Sequence, residues 1–261
     1  MSKIINGQHV TIDELNVFFG DVTLFLLEHY DTAEYADAVI VLGTYLRVTM
    51  RDLRQKHPGK RIIIFQLESL ISQNWSNNQT ILTNIVGADE VWEYDPLNSE
   101  VLTAAGIRNK VVPFRYTKAL DVGLDARECD IDLLFYGFLN ARRTAILQPM
   151  QARLYGRRSF VFVFGVHGPE LDDYIARSKI ILNLHAFDGQ AQEKVRMLRP
   201  VCNGKMVLSE TSKADYYKDA ICEFPSIDGL VVLLDHYLEH DRYKAFGAAA
   251  REKFKRLGDA R

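Results

Sequence analysis

The segment Asp130-Ile131-Asp132-Leu133-Leu134-Phe135-Tyr136-Gly137-Phe138-Leu139-Asn140-Ala141-Arg142-Arg143 decides how the chain is read. The apolar, aromatic-rich run 131–136 has the length of a buried strand. Gly137 permits a sharp turn and a close approach of the backbone to a ligand, because no Cβ intervenes. Asn140 suits the N-cap of a helix that starts at once, and Arg142 and Arg143 then fall in its first turn. That turn is electropositive and ordinarily attracts acids, so two arginines there suit a bound anion, a diphosphate in particular. Solvated surface charge is the other reading, and the segment alone leaves both open.

On either side of it the same strand–helix alternation recurs. In the first half, strands are predicted at 38–42, 61–66, 90–93 and 110–114, with helices near 45–56 and 81–86 and another opening at Asp95-Pro96. Residues 1–36 are the least legible, and 22–27 reads as a strand. In the second half, strands are predicted at 131–136, 159–164, 179–184, 205–209 and 221–224. Helices are expected near 140–155, 170–177, 190–203, 211–218 and 226–239, with a packed terminal helix over 242–257. Alternation at this spacing implies parallel sheets. A polar stretch at 115–129 marks the join, which divides the chain into domains 1–120 and 121–261. The fold class expected is therefore α/β: two Rossmann-like domains facing each other across a cleft, the N-terminal one short.

The 261 residues allow one large domain or two modest ones, and the hydrophobic and charged fractions (48% and 25%) are those of a soluble protein. No apolar run is long enough to span a bilayer, and the first residues lack the apolar core of a signal peptide. Cys129, Cys202 and Cys222 are odd in number and widely spaced, as reduced cytosolic thiols would be. A cytoplasmic location is expected. Net charge is −2, shared as −5 over 1–125 and +3 over 126–261, which argues against a general nucleic-acid binder and mildly for a small anionic ligand on the second half. No Gly-x-Gly-x-x-Gly follows a strand, which disfavours a dinucleotide oxidoreductase.

Ligands of open α/β sheets lie beyond the carboxyl ends of the strands. In the second half those ends carry Gly137 to Arg143, Gly165-Val166-His167-Gly168, Asn183-Leu184-His185 and Ser209-Glu210; in the first they carry Gly43-Thr44-Tyr45, Glu68-Ser69, Tyr94-Asp95 and Arg115-Tyr116. Glu193 and Arg196, three apart, share a helix face, as a surface ion pair would also do.

Several of these segments, in this order, resemble small bacterial and phage glycosyltransferases of the GT-B fold. They are Asp132 to Arg143, Ser178 to His185, Glu193 to Arg196 and Asn203 to Glu210, with Phe65 to Leu70, Val91 to Asn98 and Val112 to Tyr116 in the first half. The resemblance spans roughly 37–240. It implies a nucleotide-sugar donor, a UDP-sugar first of all, held by the second domain. Gly137, Asn140, Arg142 and Arg143 would face the diphosphate, and Gly165, Val166 and His167 the base. His185 would lie near the donor sugar, Glu193 and Arg196 would hold donor oxygens, and Ser209 and Glu210 would complete the donor side. Where many members grip the ribose with a glutamate, this chain has Arg199.

Breaking the anomeric C–O bond releases a nucleoside diphosphate, so positive side chains and a helix end can lower the barrier in place of a metal. No metal site and no further cofactor are expected. An inverting reaction needs a base for the acceptor hydroxyl, for which Glu68 is the candidate, with His185 as the second catalytic residue and Tyr45 and Tyr116 on the acceptor side. The acceptor would be a glycan, a protein or a modified base of phage DNA. Two rivals are a nucleotide-sugar 2-epimerase on the same scaffold and a non-catalytic donor- or glycan-binding accessory protein.

Overall fold

The computed structural model describes residues 2–5, 8–14, 20–43, 49–71, 75–213, 217 and 220–259. The chain forms two compact units, Met1–Phe114 with Gly189–Ala191, and Arg115–Asp188 with Gln192–Arg261. Each is a Rossmann-like unit of helices packed on a parallel sheet, as the alternation predicts.

In the first unit the strands are β1 (Ser2–Ile5), β2 (Gln8–Glu14), β3 (Ala38–Leu42), β4 (Arg61–Gln66), β5 (Glu90–Glu93) and β6 (Lys110–Val111), hydrogen-bonded in that order. β1 runs antiparallel to β2, and the remaining pairs are parallel. β3 is Ala-Val-Ile-Val-Leu and wholly buried, the continuous apolar run required of a strand covered on both faces. One face (Val39, Val41, Ile62, Ile64, Val91) packs against Leu53 of helix α2 (Met50–Lys56), Ile81 and Ile85 of α3 (Trp75–Ile85) and Leu102 of α4 (Pro96–Ala104). On the other, Phe65 and Trp92 join an aromatic cluster with Phe114, Tyr94 and Phe25 of α1 (Gly20–His29). Local chemistry sets the helix starts. Thr49 and Asp52 form a reciprocal capping box on α2, and Asp95 caps α4 with Pro96 behind it.

Two sequence expectations are corrected. The apolar run 22–27 lies inside α1, not in a strand; Val22, Phe25 and Leu26 are buried at i, i+3 and i+4, a helical face that a run of apolar residues conceals. The strand expected at 110–114 ends at Val111, because Pro113 has no N–H for a ladder. Of the helix expected at 211–218, residues 214–216 and 218 lie outside the described residues, and Thr211 to Lys213 are irregular.

The second unit carries β7 (Ile131–Tyr136), β8 (Phe160–Val163), β9 (Ser178–Asn183), β10 (Met206–Glu210) and β11 (Cys222–Phe224), all parallel, in the order β11-β10-β9-β7-β8. The chain steps outward from β7 to β8 and then returns to lay β9 on the far side of β7. That reversal makes a topological switch point between β7 and β9, the position where open α/β sheets bind ligands. One face packs under α5 (Ala141–Leu154) and α8 (Ile227–Leu238) through Leu147, Met150, Leu230 and Leu234. Helices α6 (Gly168–Arg177), α7 (Lys194–Cys202) and α9 (Arg242–Asp259) complete the unit. The polar stretch after residue 114 is pinned to this unit by one buried side chain. Asn203 Oδ1 accepts from the amides of Val122 (2.9 Å) and Leu124 (3.2 Å), and its Nδ2 donates to the Leu120 carbonyl (2.7 Å). Among the described residues no helix is long and apolar enough to cross a membrane.

Helix α9 crosses the turn before β10 with no room for a side chain. A Cβ on Gly247 would stand 1.9 Å from the Gly204 carbonyl oxygen. Gly247→Ala should therefore push α9 off the sheet at a cost of about 1–3 kcal/mol, lowering the melting temperature of the second unit by several degrees. Gly20→Ala, whose Cβ would meet nothing within 4 Å among the described residues, should leave calorimetric melting unchanged.

Candidate functional site

β7 ends at Gly137, whose φ of 136° is a conformation L side chains rarely adopt. Asn140 then caps α5 as expected, its Oδ1 accepting from the Arg143 amide (2.9 Å). Its Nδ2 donates to the Ala186 carbonyl (2.5 Å), which ties the helix start to the loop that follows β9. The amides of Ala141 and Arg142 find no acceptor among the described residues, as is general for a helix's first turn.

Arg142 and Arg143, expected to face a diphosphate, are both engaged within the chain. Arg142 donates to Asp188 (2.5 Å), to the His185 carbonyl (2.8 Å) and through two nitrogens to Glu210 (2.9 and 2.7 Å). The bond to Glu210, the largest influence, holds its pKa above the ordinary arginine value. Arg143 is only 2% exposed and lies over the Phe135 ring. Its Nε and Nη2 donate to the Leu184 carbonyl (3.0 and 2.7 Å), Nη1 to the Phe138 carbonyl (2.8 Å) and Nη2 also to Glu193 (2.6 Å). Burial lowers its pKa to about 10, still well above neutrality, so it remains a cation balanced by Glu193. Both arginines tie the post-β9 loop to its neighbours, Arg143 to the turn after β7 and Arg142 to Glu210 of β10.

Arg196 is different. Its Nη1 donates to Asn183 Oδ1 (3.0 Å), to the Leu184 carbonyl and to Glu193 Oε2. Among the described residues nothing accepts from its Nε and Nη2. That edge lies against Gly137, where a Cβ would come within 3.0 Å of Nη2. Glycine at 137 is thus required twice, by its backbone and by the guanidinium beside it.

His185 follows β9 by two residues. Its backbone is held from both sides, the amide donating to Glu210 Oε2 (2.6 Å) and the carbonyl accepting from Arg142. Its ring is buried (3% exposed), yet among the described residues neither Nδ1 nor Nε2 has a hydrogen-bond partner. A buried polar ring without partners costs free energy unless a ligand or water completes it. Gln192, also buried, leaves its Oε1 unmatched in the same loop while its Nε2 donates to Glu223.

The other predicted residues fall as follows. Glu193 is the hub between Arg143, Arg196 and the Ala186 amide. Ser209 ties β9 to β10, accepting from Asn183 and donating to the Glu210 carbonyl. Gly165 and Gly168, both left-handed, bracket Val166 and His167, and His167 is the N-cap of α6 without a side-chain capping bond. Arg199 is held by both oxygens of Asp172 (3.1 Å each). In the first unit, Glu68 is half-buried at the end of β4, its carbonyl gripped by Gln66 (2.6 Å) and Asn98 (2.9 Å). Tyr116 groups with the second unit, its hydroxyl donating to Asp121 (2.6 Å). Tyr45 lies outside the described residues. Asn183 was singled out only as part of a strand end, and Gln192 was not anticipated. An asparagine closing the apolar run Ile180-Ile181-Leu182 was the available signal for the first; nothing marked the second.

No family model matches the chain, and no curated protein matches it in sequence. Its fold is shared by solved structures at low identity. Sucrose-phosphate synthase from Thermosynechococcus elongatus is 12% identical with a TM-score of 0.60, the match covering 87% of this chain and 71% of that one. The Anabaena protein HepE, crystallised with UDP and glucose, is 10% identical at a TM-score of 0.60, covering 87% and 77%. A UDP-forming trehalose-phosphate synthase from Burkholderia xenovorans is 10% identical at 0.55, covering 88% and 78%. These are GT-B glycosyltransferases, and the likeness establishes that this chain has their two-sheet α/β fold.

The network also fixes what its loss should do. Arg143→Lys keeps the charge but not the fork, leaving buried carbonyls at Leu184 and Phe138 short of donors. A loss of about 2–4 kcal/mol is expected, read as earlier urea unfolding of the second unit. Unchanged unfolding would show that the fork carries no structural load.

Proposed function

We propose that the chain is a glycosyltransferase that moves a sugar from a nucleoside-diphosphate sugar, a UDP-sugar first of all, to an acceptor hydroxyl. The observation that carries this reading is the pair of unspent groups at the β7/β9 switch point: the open Nε/Nη2 edge of Arg196 beside Gly137, and the buried, unpartnered imidazole of His185. The fold shared with HepE and with UDP-forming trehalose-phosphate synthase supports it.

In this reading the diphosphate seats against the Gly137 turn. Arg196 and the amides of Ala141 and Arg142 face its oxygens, where negative charge grows as the anomeric bond breaks. Arg142 and Arg143 act at one remove, holding the loop that carries His185. His185 donates to, or accepts from, a donor oxygen and so recovers the hydrogen bonds its burial forgoes. Gly165, Val166 and His167 meet the base. Residues 121–261 hold the donor and residues 1–120 the acceptor, with Glu68 as base if the anomeric centre inverts. The chemistry runs without a metal, in the cytoplasm. The acceptor is a glycan, a protein or a modified DNA base.

Calorimetric titration with UDP and GDP, followed by a donor panel with and without EDTA, tests this. At least one diphosphate should bind, Arg196→Ala should weaken it by about 10–100-fold, and turnover should persist in EDTA. If no diphosphate binds and no donor is turned over, the proposal fails; loss of turnover in EDTA alone would overturn only the metal-free step.

A further inference from the structure

We propose that β8 is the docking edge for a second copy of this chain, the two strands pairing antiparallel about Phe162. β8 closes one side of the second sheet, and among the described residues no strand pairs with its outer edge. Exposed edges are a liability that proteins usually blunt with charge, proline, bulges or brevity. The opposite edge is blunted: β11 is only three residues long with Glu223 at its centre. β8 is not. From 159 to 165 the sequence is Ser-Phe-Val-Phe-Val-Phe-Gly, without charge or proline, and Phe162 and Phe164 are 37% and 59% exposed. Phe138, 61% exposed, meets Phe164 edge-on and extends the apolar row.

Two features commit the edge to a copy of itself. First, Phe160-Val161-Phe162-Val163-Phe164 reads the same in both directions. Antiparallel pairing on a two-fold axis at Phe162 sets Phe160 opposite Phe164 and Phe162 opposite its own copy. That is an aromatic ladder with no mismatched position, as an isologous interface requires. Second, the backbone groups are in phase. Ser159 and Val163 give their carbonyls inward to β7, accepting from Leu133 and Gly137. By the two-residue period of a strand, Phe160, Phe162 and Phe164 turn their N–H and C=O outward. In the proposed register these three form the hydrogen-bonded pairs. The flanking charges do not obstruct it. Arg158 would face Val166, and Arg157 and Arg158 share Asp235 of their own chain as an ion-pair partner.

Sedimentation equilibrium of the full chain should show a monomer–dimer equilibrium. Phe162→Lys, at a half-exposed position, sets two like charges face to face on the axis and should weaken the dimer by about 100-fold or more. A wild-type chain that stays monomeric to about 100 μM, or a Phe162→Lys variant that dimerises as tightly as wild type, would overturn the proposal. Hydrogen exchange on the wild type gives the same answer without a mutant. The Phe160, Phe162 and Phe164 amides should slow as concentration rises, and concentration-independent exchange there would contradict it.

Discussion

The structure of the second unit turns on a buried ion network centred on Glu193. One carboxylate bridges Arg143 and Arg196, two cations that lie over the same Phe135 ring. Without that anion, two guanidiniums would be crowded together in a low-dielectric site, one of them almost wholly buried. With it, Arg143 can spend its remaining donors on the Leu184 and Phe138 carbonyls, where two loops would otherwise leave backbone oxygens unmatched. The second pairing, Arg142 with Glu210, grips the same loop from the β10 side and reaches the His185 amide. Five charges thus hold a short stretch, Leu184 to Ala186, in one conformation. Precision of this kind is what a binding residue on a loop needs from its surroundings.

The consequence is a division of labour among residues that look alike in sequence. Arg142, Arg143 and Arg196 are all cations near one switch point. The first two are engaged by carboxylates and backbone carbonyls through all three of their nitrogens, whereas among the described residues Nε and Nη2 of the third meet no acceptor. His185 gains its interest the same way. Its backbone is clamped and its ring is unmatched, so the energetic cost of burying it is offset only when something supplies a partner.

Most of the architecture was legible because it depends on short-range pattern. The runs 131–136 and 90–93 are strands at the expected residues, since their apolar and aromatic side chains come in short blocks of strand length. Asn140 and Pro96 mark helix starts through local capping chemistry. The failures have the same origin. Val22 to Leu27 is apolar whether read at period 2 or 3.6, so pattern could not separate helix from strand. At the candidate site the sequence showed which residue types collect at the strand ends but not which of their donors are already used. That is a long-range property: Arg143 is saturated by residues some 40 to 50 positions away. Gln192 escaped notice because its interest comes from what it fails to pair with among the described residues.

The central claim is that the β7/β9 switch point of the second unit is a nucleoside-diphosphate seat with His185 in it. The most direct measurement is the imidazole 15N spectrum of the protein titrated with UDP, with His185 assigned by its loss in His185→Gln. Saturable movement of the His185 ring nitrogens, absent when uridine replaces UDP, is the predicted result. Ring nitrogens of His185 that stay fixed while UDP demonstrably binds would place the nucleotide elsewhere and contradict the account.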